Sequence, residues 1–279
     1  MERIVLDEPR LLLHFNPEHE ASARLAGSLA SFIDNKNPSL IVSLGGDGAM
    51  LKAVGLYGDM GLPFLGLNTG SKGFLLNHEN DFSRLVGRPL VVRELPLLQA
   101  VCQTDRGQSI HFGLNEAWVE RDSGQNLTIG LACARGSLEL KGDGMVVATA
   151  VGSWGLARNA CRQDGLFLSS DCLRLAGINL DEEYWGAIPN PLDIAFTGDV
   201  NLEVISSQYR PARAFVDGGM PIANVRSVRL GKKRPDCSVA FYRGGRSAEA
   251  NPLSLRSKQW ISSLFEVANY NHPDAINMQ

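Results

Sequence analysis

The stretch "SLGGDGAML", residues 43–51, constrains the fold more than any other part of the chain. An apolar run, Leu40 to Leu44, stops at Gly45-Gly46-Asp47-Gly48, and a helix-prone apolar segment resumes at Ala49. A buried strand that ends in a glycine turn and passes into a helix is the repeating unit of an α/β sheet. The flanking sequence repeats the unit. Leu11–Phe15 is a strand candidate, Glu18 to Ile33 sets Ala21, Leu25, Leu29 and Phe32 on one helical face, and Pro63–Leu67 is a further strand closed by "NTGSKG". The expected fold class is an α/β N-terminal domain with an open, mainly parallel sheet.

From about Leu97 the texture changes. Leu98–Cys102, Leu127–Cys133, Met145–Thr149, Val200–Ile205, Arg213–Val216, Val225–Leu230 and Ser238–Tyr242 read as short strands with turn residues between them. They predict a second, β-rich C-terminal domain. The boundaries are 1–96 for the α/β domain, joined by a returning helical segment within 252–279, and 97–251 for the β-rich domain. Arg162 to Asn190 follows no clean period.

A glycine turn between strand and helix suits phosphate, because the backbone approaches closely and the exposed N–H groups point at the anion. An aspartate there repels phosphate. Asp47 therefore either caps the helix it precedes or does chemistry, as a group that accepts a proton from an attacking hydroxyl or helps organise phosphate-bound Mg²⁺. The loop "GLNTGSKGFLLN" places Asn68, Gly70 and Phe74 after the next strand. Loops at the carboxyl ends of adjacent parallel strands share one crevice.

Bulk properties narrow the partners. Hydrophobic residues make up 44% of the 279, enough for a sizeable core, and the net charge of −3 gives no basic surplus for nucleic acid or an anionic membrane. The five cysteines form no CxxC pair, which suits a reducing compartment. No leader-type run opens the chain, and the longest uncharged apolar stretch, Met145 to Ala157, is shorter than the about 20 residues that cross a bilayer. The expectation is a cytoplasmic protein with small-molecule nucleotide partners.

Gly45-Gly46-Asp47-Gly48 with Leu51, and Asn68 to Leu75 as NxGxxGFL, resemble the NAD kinase family. Further pieces follow in order: Asn115-Glu116, the "LKGDG" element with Lys141 and Asp143, Thr149 in the next segment, Asp217-Gly218, and "LRSKQW" at Leu255 to Trp260. The resemblance implies transfer of a phosphoryl group from ATP, or another phosphate donor, to the 2′-hydroxyl of the adenosine ribose of NAD, giving NADP. It implies Asp47 as general base and binding roles for Gly45, Gly46, Gly48, Leu51, Asn68, Gly70, Phe74, Asn115, Glu116, Lys141, Asp143, Thr149 and Asp217. Lys141 and Asp143 would stand near the Asn115-Glu116 pair. It also implies Mg²⁺ carried with the donor, and a homodimer or homotetramer whose neighbouring subunit contributes to the pocket. Read without the family, Asp143-Gly144 and Asp217-Gly218 are turns, and Asn115-Glu116 a strand end.

One segment departs from the family. Its STPTGSTAYxxSxGG reads "ATAVGSWGLARNACR" here, from Ala148 to Arg162; Thr149, Gly152 and Ser153 survive, while Trp154 replaces a small residue. Trp154 either stacks on a base or fills core space. Two alternatives to the family activity follow. One is a kinase of the same superfamily with a different hydroxyl acceptor, such as a lipid. The other is a non-catalytic sensor of NAD(P).

Overall fold

A computed structural model describes residues 3–70, 73–77, 82–166, 170–181, 191–195, 198–205 and 207–241. The expected C-terminal helix, the returning segment 252–279 and the "LRSKQW" element lie outside the described residues.

The N-terminal part contains β1 (Arg3–Val5), β2 (Leu11–Phe15), α1 (Glu20–Ser28), β3 (Leu40–Gly45), α2 (Asp47–Tyr57) and β4 (Phe64–Asn68). Strands β2, β3 and β4 pair in parallel, with Leu13 opposite Val42 and Val42 opposite Leu65. Both faces are covered. Val42, Leu44, Leu65 and Leu67 pack with Ala26 of α1 and with Leu29. Ile41 and Phe64 pack with Met50, Ala53 and Val54 of α2. A sheet buried on both faces demands near-continuous apolar strands, and these strands are apolar but for His14, Ser43 and Asn68. The buried face of α1 is rotated by one residue from the expected one: Ser22 and Ala26 are buried and Ala21 is exposed. Ser22 turns inward because its hydroxyl meets Leu44 O and Thr69 Oγ1 at the strand ends.

The rest is strand-rich: β5 (Pro89–Thr104), β6 (Gly107–Gly113), β7 (Glu116–Arg121), β8 (Leu127–Cys133), β9 (Gly136–Gly142), β10 (Gly144–Ala148), α3 (Leu156–Cys161), β11 (Cys172–Ile178), β12 (Leu192–Ala195), β13 (Val200–Ile205), β14 (Ala212–Val216), β15 (Ile222–Ala223) and β16 (Val225–Phe241). One sheet is antiparallel in the order β12-β11-β10-β7-β14-β15; the other runs β2-β3-β4-β16-β13-β8-β9, with β5 also beside β16. The runs starting at Val225 and Ser238, expected as separate strands, are one strand with a register shift between Lys233 and Cys237. Its far end pairs in parallel with β4 at Val239 and Ala240. The backbone ladder thus continues from the parallel strands into the β-rich part. The cores divide at one peptide: Leu97 packs with Met50 and Phe64, while Leu98 packs into the apolar layer between the two sheets. The segment 162–190, without a period in sequence, contains β11. No helix among the described residues is long and apolar enough to cross a membrane.

Candidate active site

The two glycine loops meet as adjacent parallel strands require. Gly45 lies opposite Asn68, and Thr69 N donates to Gly45 O at 3.0 Å. Gly45 has φ +156°, and a Cβ there would stand 2.6 Å from the Ala49 methyl, so only glycine lets α2 begin this close to the strand end. Gly46 precedes the helix without a side-chain cap. Gly48 is exposed with open space at its Cα, and Leu51 packs against the core below.

Asp47 is the first residue of α2, yet its carboxylate does not cap that helix. It crosses to the second loop. Oδ1 accepts Phe74 N at 2.8 Å and Leu75 N at 2.9 Å, and Oδ2 accepts Phe74 N at 3.0 Å. Charge-assisted bonds of this kind are about twice as strong as neutral ones. Oδ2 holds only the longer branch of the shared Phe74 bond, which leaves it acceptor capacity for a further hydroxyl. The second loop is shaped from within: Asn68 Oδ1 accepts Gly70 N at 3.0 Å, and Asn77 Nδ2 donates to Gly66 O and Ala240 O. The Phe74 side chain remains 38% exposed.

The second constellation forms where β6 turns into β7. Asn115 and Glu116 occupy that turn, with Asn115 Oδ1 and Glu116 Oε2 buried and without a hydrogen-bond partner. Burial, and next the charge of Asp217, push the Glu116 carboxyl up to about 8. At neutral pH it therefore carries its proton and can donate as well as accept. Asp217 accepts Leu114 N at 2.6 Å on Oδ2, and Asn115 N at 2.9 Å and Glu116 N at 3.0 Å on Oδ1. Burial raises its carboxyl to about 6, with these three bonds pulling the other way.

The divergent segment supports this turn from below. Thr149 is fully buried; its hydroxyl donates to Leu114 O at 2.5 Å and accepts Gly152 N, so it is held by backbone on both sides. A Cβ at Gly152 would fall 2.1 Å from Asn115 O, and one at Gly155 would lie 3.6 Å from Glu116 Oε2. Trp154 packs into the core beside Leu114 and Val151, its ring lies against Gly165, and its indole N–H donates to Leu166 O at 2.8 Å. The same apolar cluster contains Met50, Leu51, Leu75 and Leu76, so it underlies both the Asp47 loops and the Asn115 turn.

Lys141 and Asp143 are not brought to this turn. On the ladder Ala148 lies opposite Glu116, while Gly144 lies opposite Glu120. Asp143, five positions from Ala148, is therefore about 17 Å away along the strand. There it pairs with Arg121 at 2.8 Å and accepts Asn179 Nδ2, while Lys141 pairs with Asp181 at 3.4 Å. The expectation that they stand near Asn115 fails within one chain, because β7 and β10 run antiparallel and carry them to the opposite end.

Two cavities that sequence reasoning missed lie beside α1, both bordered by Thr69 and one of them by the first loop. One, of about 210 Å³, is bordered by His19, Ser22, Gly45, Gly46, Thr69 and Gly70. The other, of about 430 Å³, is bordered by Ala21, Arg24, Leu25, Ser28 and Thr69. Ser22 Oγ bonds Thr69 Oγ1 at 2.8 Å and His19 Nδ1 at 2.9 Å, linking α1 to the loop. The spacing of Ser22 and Thr69 to the glycine motifs carried no signal for this contact.

Residues 14–84 match the family model for the ATP-NAD kinase N-terminal domain. The NAD kinase of Bacteroides fragilis is 34% identical over 127 residues, 43% of this chain and 44% of that protein. That of Brucella melitensis is 29% identical over 216 residues, 74% of this chain and 79% of that protein. The NAD kinase of Xylella fastidiosa is 32% identical over 161 residues, 55% and 61% respectively. The match to the Bacteroides protein thus spans less than half of that relative's length. The fold is that of yeast NADH kinase, solved with NADH (TM-score 0.71, 14% identity, 98% of this chain and 90% of that one). It is also that of an Archaeoglobus fulgidus NAD kinase solved with ATP (TM-score 0.61, 18% identity, 91% and 98%). Residues 14–84, which hold both glycine loops, thus match the ATP-NAD kinase N-terminal domain, and the chain is similar to NAD kinases in sequence and in fold.

Proposed function

We propose that this protein transfers a phosphoryl group from ATP to the 2′-hydroxyl of the adenosine ribose of NAD, giving NADP. One observation carries the reading. The Asp47 carboxylate is pinned between two glycine loops, and one core cluster connects it to a turn that leaves Asn115 Oδ1 and Glu116 Oε2 buried and unsatisfied. Leaving such a group unpaired costs about 1–3 kcal/mol, a cost that a bound ligand relieves. An amide oxygen beside a protonated carboxyl offers the acceptors and the donor that ribose hydroxyls require.

In this reading the donor lies on the α1 side, where the cavity beside His19, Ser22 and Gly46 adjoins the amides at the start of α2. The acceptor lies on the Asn115 side, at the seam of residues 1–96 and 97–251. Asp47, between them, takes the proton of the ribose hydroxyl on Oδ2, and Phe74 and Leu75 fix its orientation. Phosphoryl transfer rests mostly on such positioning. No three His, Cys, Asp or Glu side chains converge into a metal site among the described residues. Mg²⁺, when bound, would travel on the donor's phosphates and water and offset their charge. Lys141 and Asp143 reach a nucleotide only from a neighbouring subunit, so a homodimer or homotetramer belongs to the proposal, as does a cytoplasmic location.

The test is an NADP-production assay with purified protein, ATP, Mg²⁺ and NAD, run beside Asp47→Asn. Turnover that disappears in the variant is the expected result. Tight NAD binding without turnover would identify a sensor instead. ATP turnover only with another hydroxyl compound would identify a different acceptor.

A further inference from the structure

Asp217 has both carboxylate oxygens turned to backbone. Three consecutive N–H groups, those of Leu114, Asn115 and Glu116, converge on it across more than 100 positions of sequence. Its own N–H donates to Glu116 O at 2.9 Å, so strand β14 and the β6–β7 turn are closed from both directions. Asp217 reaches the turn from the left-handed region at φ +49°, a conformation that aspartate tolerates better than most side chains. The fit is close on the opposite side as well: a Cβ at Gly113 would stand 2.8 Å from Asp217 Oδ1. Thr149 holds the carbonyl side of the same turn, its hydroxyl donating to Leu114 O and its N–H to Asn115 O.

We propose that Asp217 is a positioning residue that never touches the nucleotide and acts by holding the 114–116 turn so that the Asn115 and Glu116 side chains face it. A three-residue turn has one rigid orientation only if its orphan donors are satisfied together. One carboxylate satisfies all three. A substitution that breaks the set lets the turn tilt, and a displacement of about 1 Å in a binding group is enough to lose affinity. The proposal rests on the reading that Asn115 and Glu116 bind NAD.

Asp217→Asn tests it. The amide keeps one acceptor oxygen and sets an N–H₂ donor against at least one of the three backbone donors. Hydrogen exchange of the Leu114, Asn115 and Glu116 amides should become at least tenfold faster, with the amides of β3 and β4 unchanged. NAD affinity should fall about tenfold while KM for ATP stays within twofold. Combined with Asn115→Ala, the losses should be less than additive, because Asp217 acts through that residue. Fully additive losses, or weakened NAD binding with unchanged exchange, would overturn the assignment and put Asp217 in contact with the ligand. A wild-type protein that fails to bind NAD overturns the reading of Asn115 and Glu116 instead, and the exchange comparison still decides whether Asp217 holds the turn. Should Asp217→Asn not fold, Asp217→Glu, which keeps the charge and displaces it by one methylene, serves for the same measurements.

Discussion

Asp47 Oδ1 and the Phe74 backbone N–H are 2.8 Å apart, and this contact fastens the first glycine loop to the second. The residue assigned to chemistry is thus also a structural clasp. Asp47→Asn should lower kcat by about 10²–10⁴-fold, the usual worth of a general base, with smaller changes in both KM values. Asp47→Ala, which removes the acceptors altogether, should in addition lower Tm. Steady-state kinetics and thermal denaturation separate the two effects; equal kcat in wild type and Asp47→Asn would remove Asp47 from the reaction.

Glu116 and Asp217 make stability depend on pH. Both carboxyls are raised in the folded protein, Glu116 from 4.5 to about 8 and Asp217 from 3.8 to about 6, chiefly by burial. The folded state therefore holds protons that the unfolded chain releases. Their contribution is complete below about pH 4 and is lost as pH rises, through 6 for Asp217 and through 8 for Glu116. Glu116→Gln should flatten the decline of Tm between pH 6 and 8 that wild type shows in differential scanning calorimetry. A Tm that is flat in wild type across that window would contradict the burial of the Glu116 carboxyl.

Gly152 faces the Asn115 backbone with no room for a methyl group, since a Cβ would meet Asn115 O at 2.1 Å. Gly152→Ala must push the turn or the segment aside. Overpacking costs about 1–3 kcal/mol, and each kcal/mol lowers Tm by about 2–4 °C in a domain of this size. NAD affinity should fall with it, because the moved backbone carries Asn115. Unchanged Tm and affinity would mean that the segment yields freely.

Ser22 tests the donor side. It is 1% exposed and joins His19 to Thr69 beside the smaller cavity. Ser22→Ala removes hydrogen bonds worth about 1 kcal/mol each, so KM for ATP should rise about three- to tenfold while NAD affinity stays as it was. A change confined to NAD would put the donor elsewhere.

Local sequence determined the parts whose physics is local. Strands β2, β3 and β4, helix α2 and the two glycine loops follow from apolar runs, the helical period and residues that only a tight turn requires. The length of β16 was not legible, because Arg234-Pro235 reads as a break, while pairing with β5 carries the strand on through a register shift. The tertiary structure alone decided which motif residues keep polar atoms unsatisfied by backbone. Thr149 and Asp217 carry the same side chains as binding residues do, yet their oxygens are taken by Leu114, Asn115 and Glu116, which lie 35 and more than 100 positions away. Lys141 and Asp143 lie close to Thr149 in sequence but a strand's length from Glu116 in space. A motif records which atoms a chain possesses; only the fold determines whether those atoms are already satisfied by backbone, because such bonds form between segments that sequence distance does not relate.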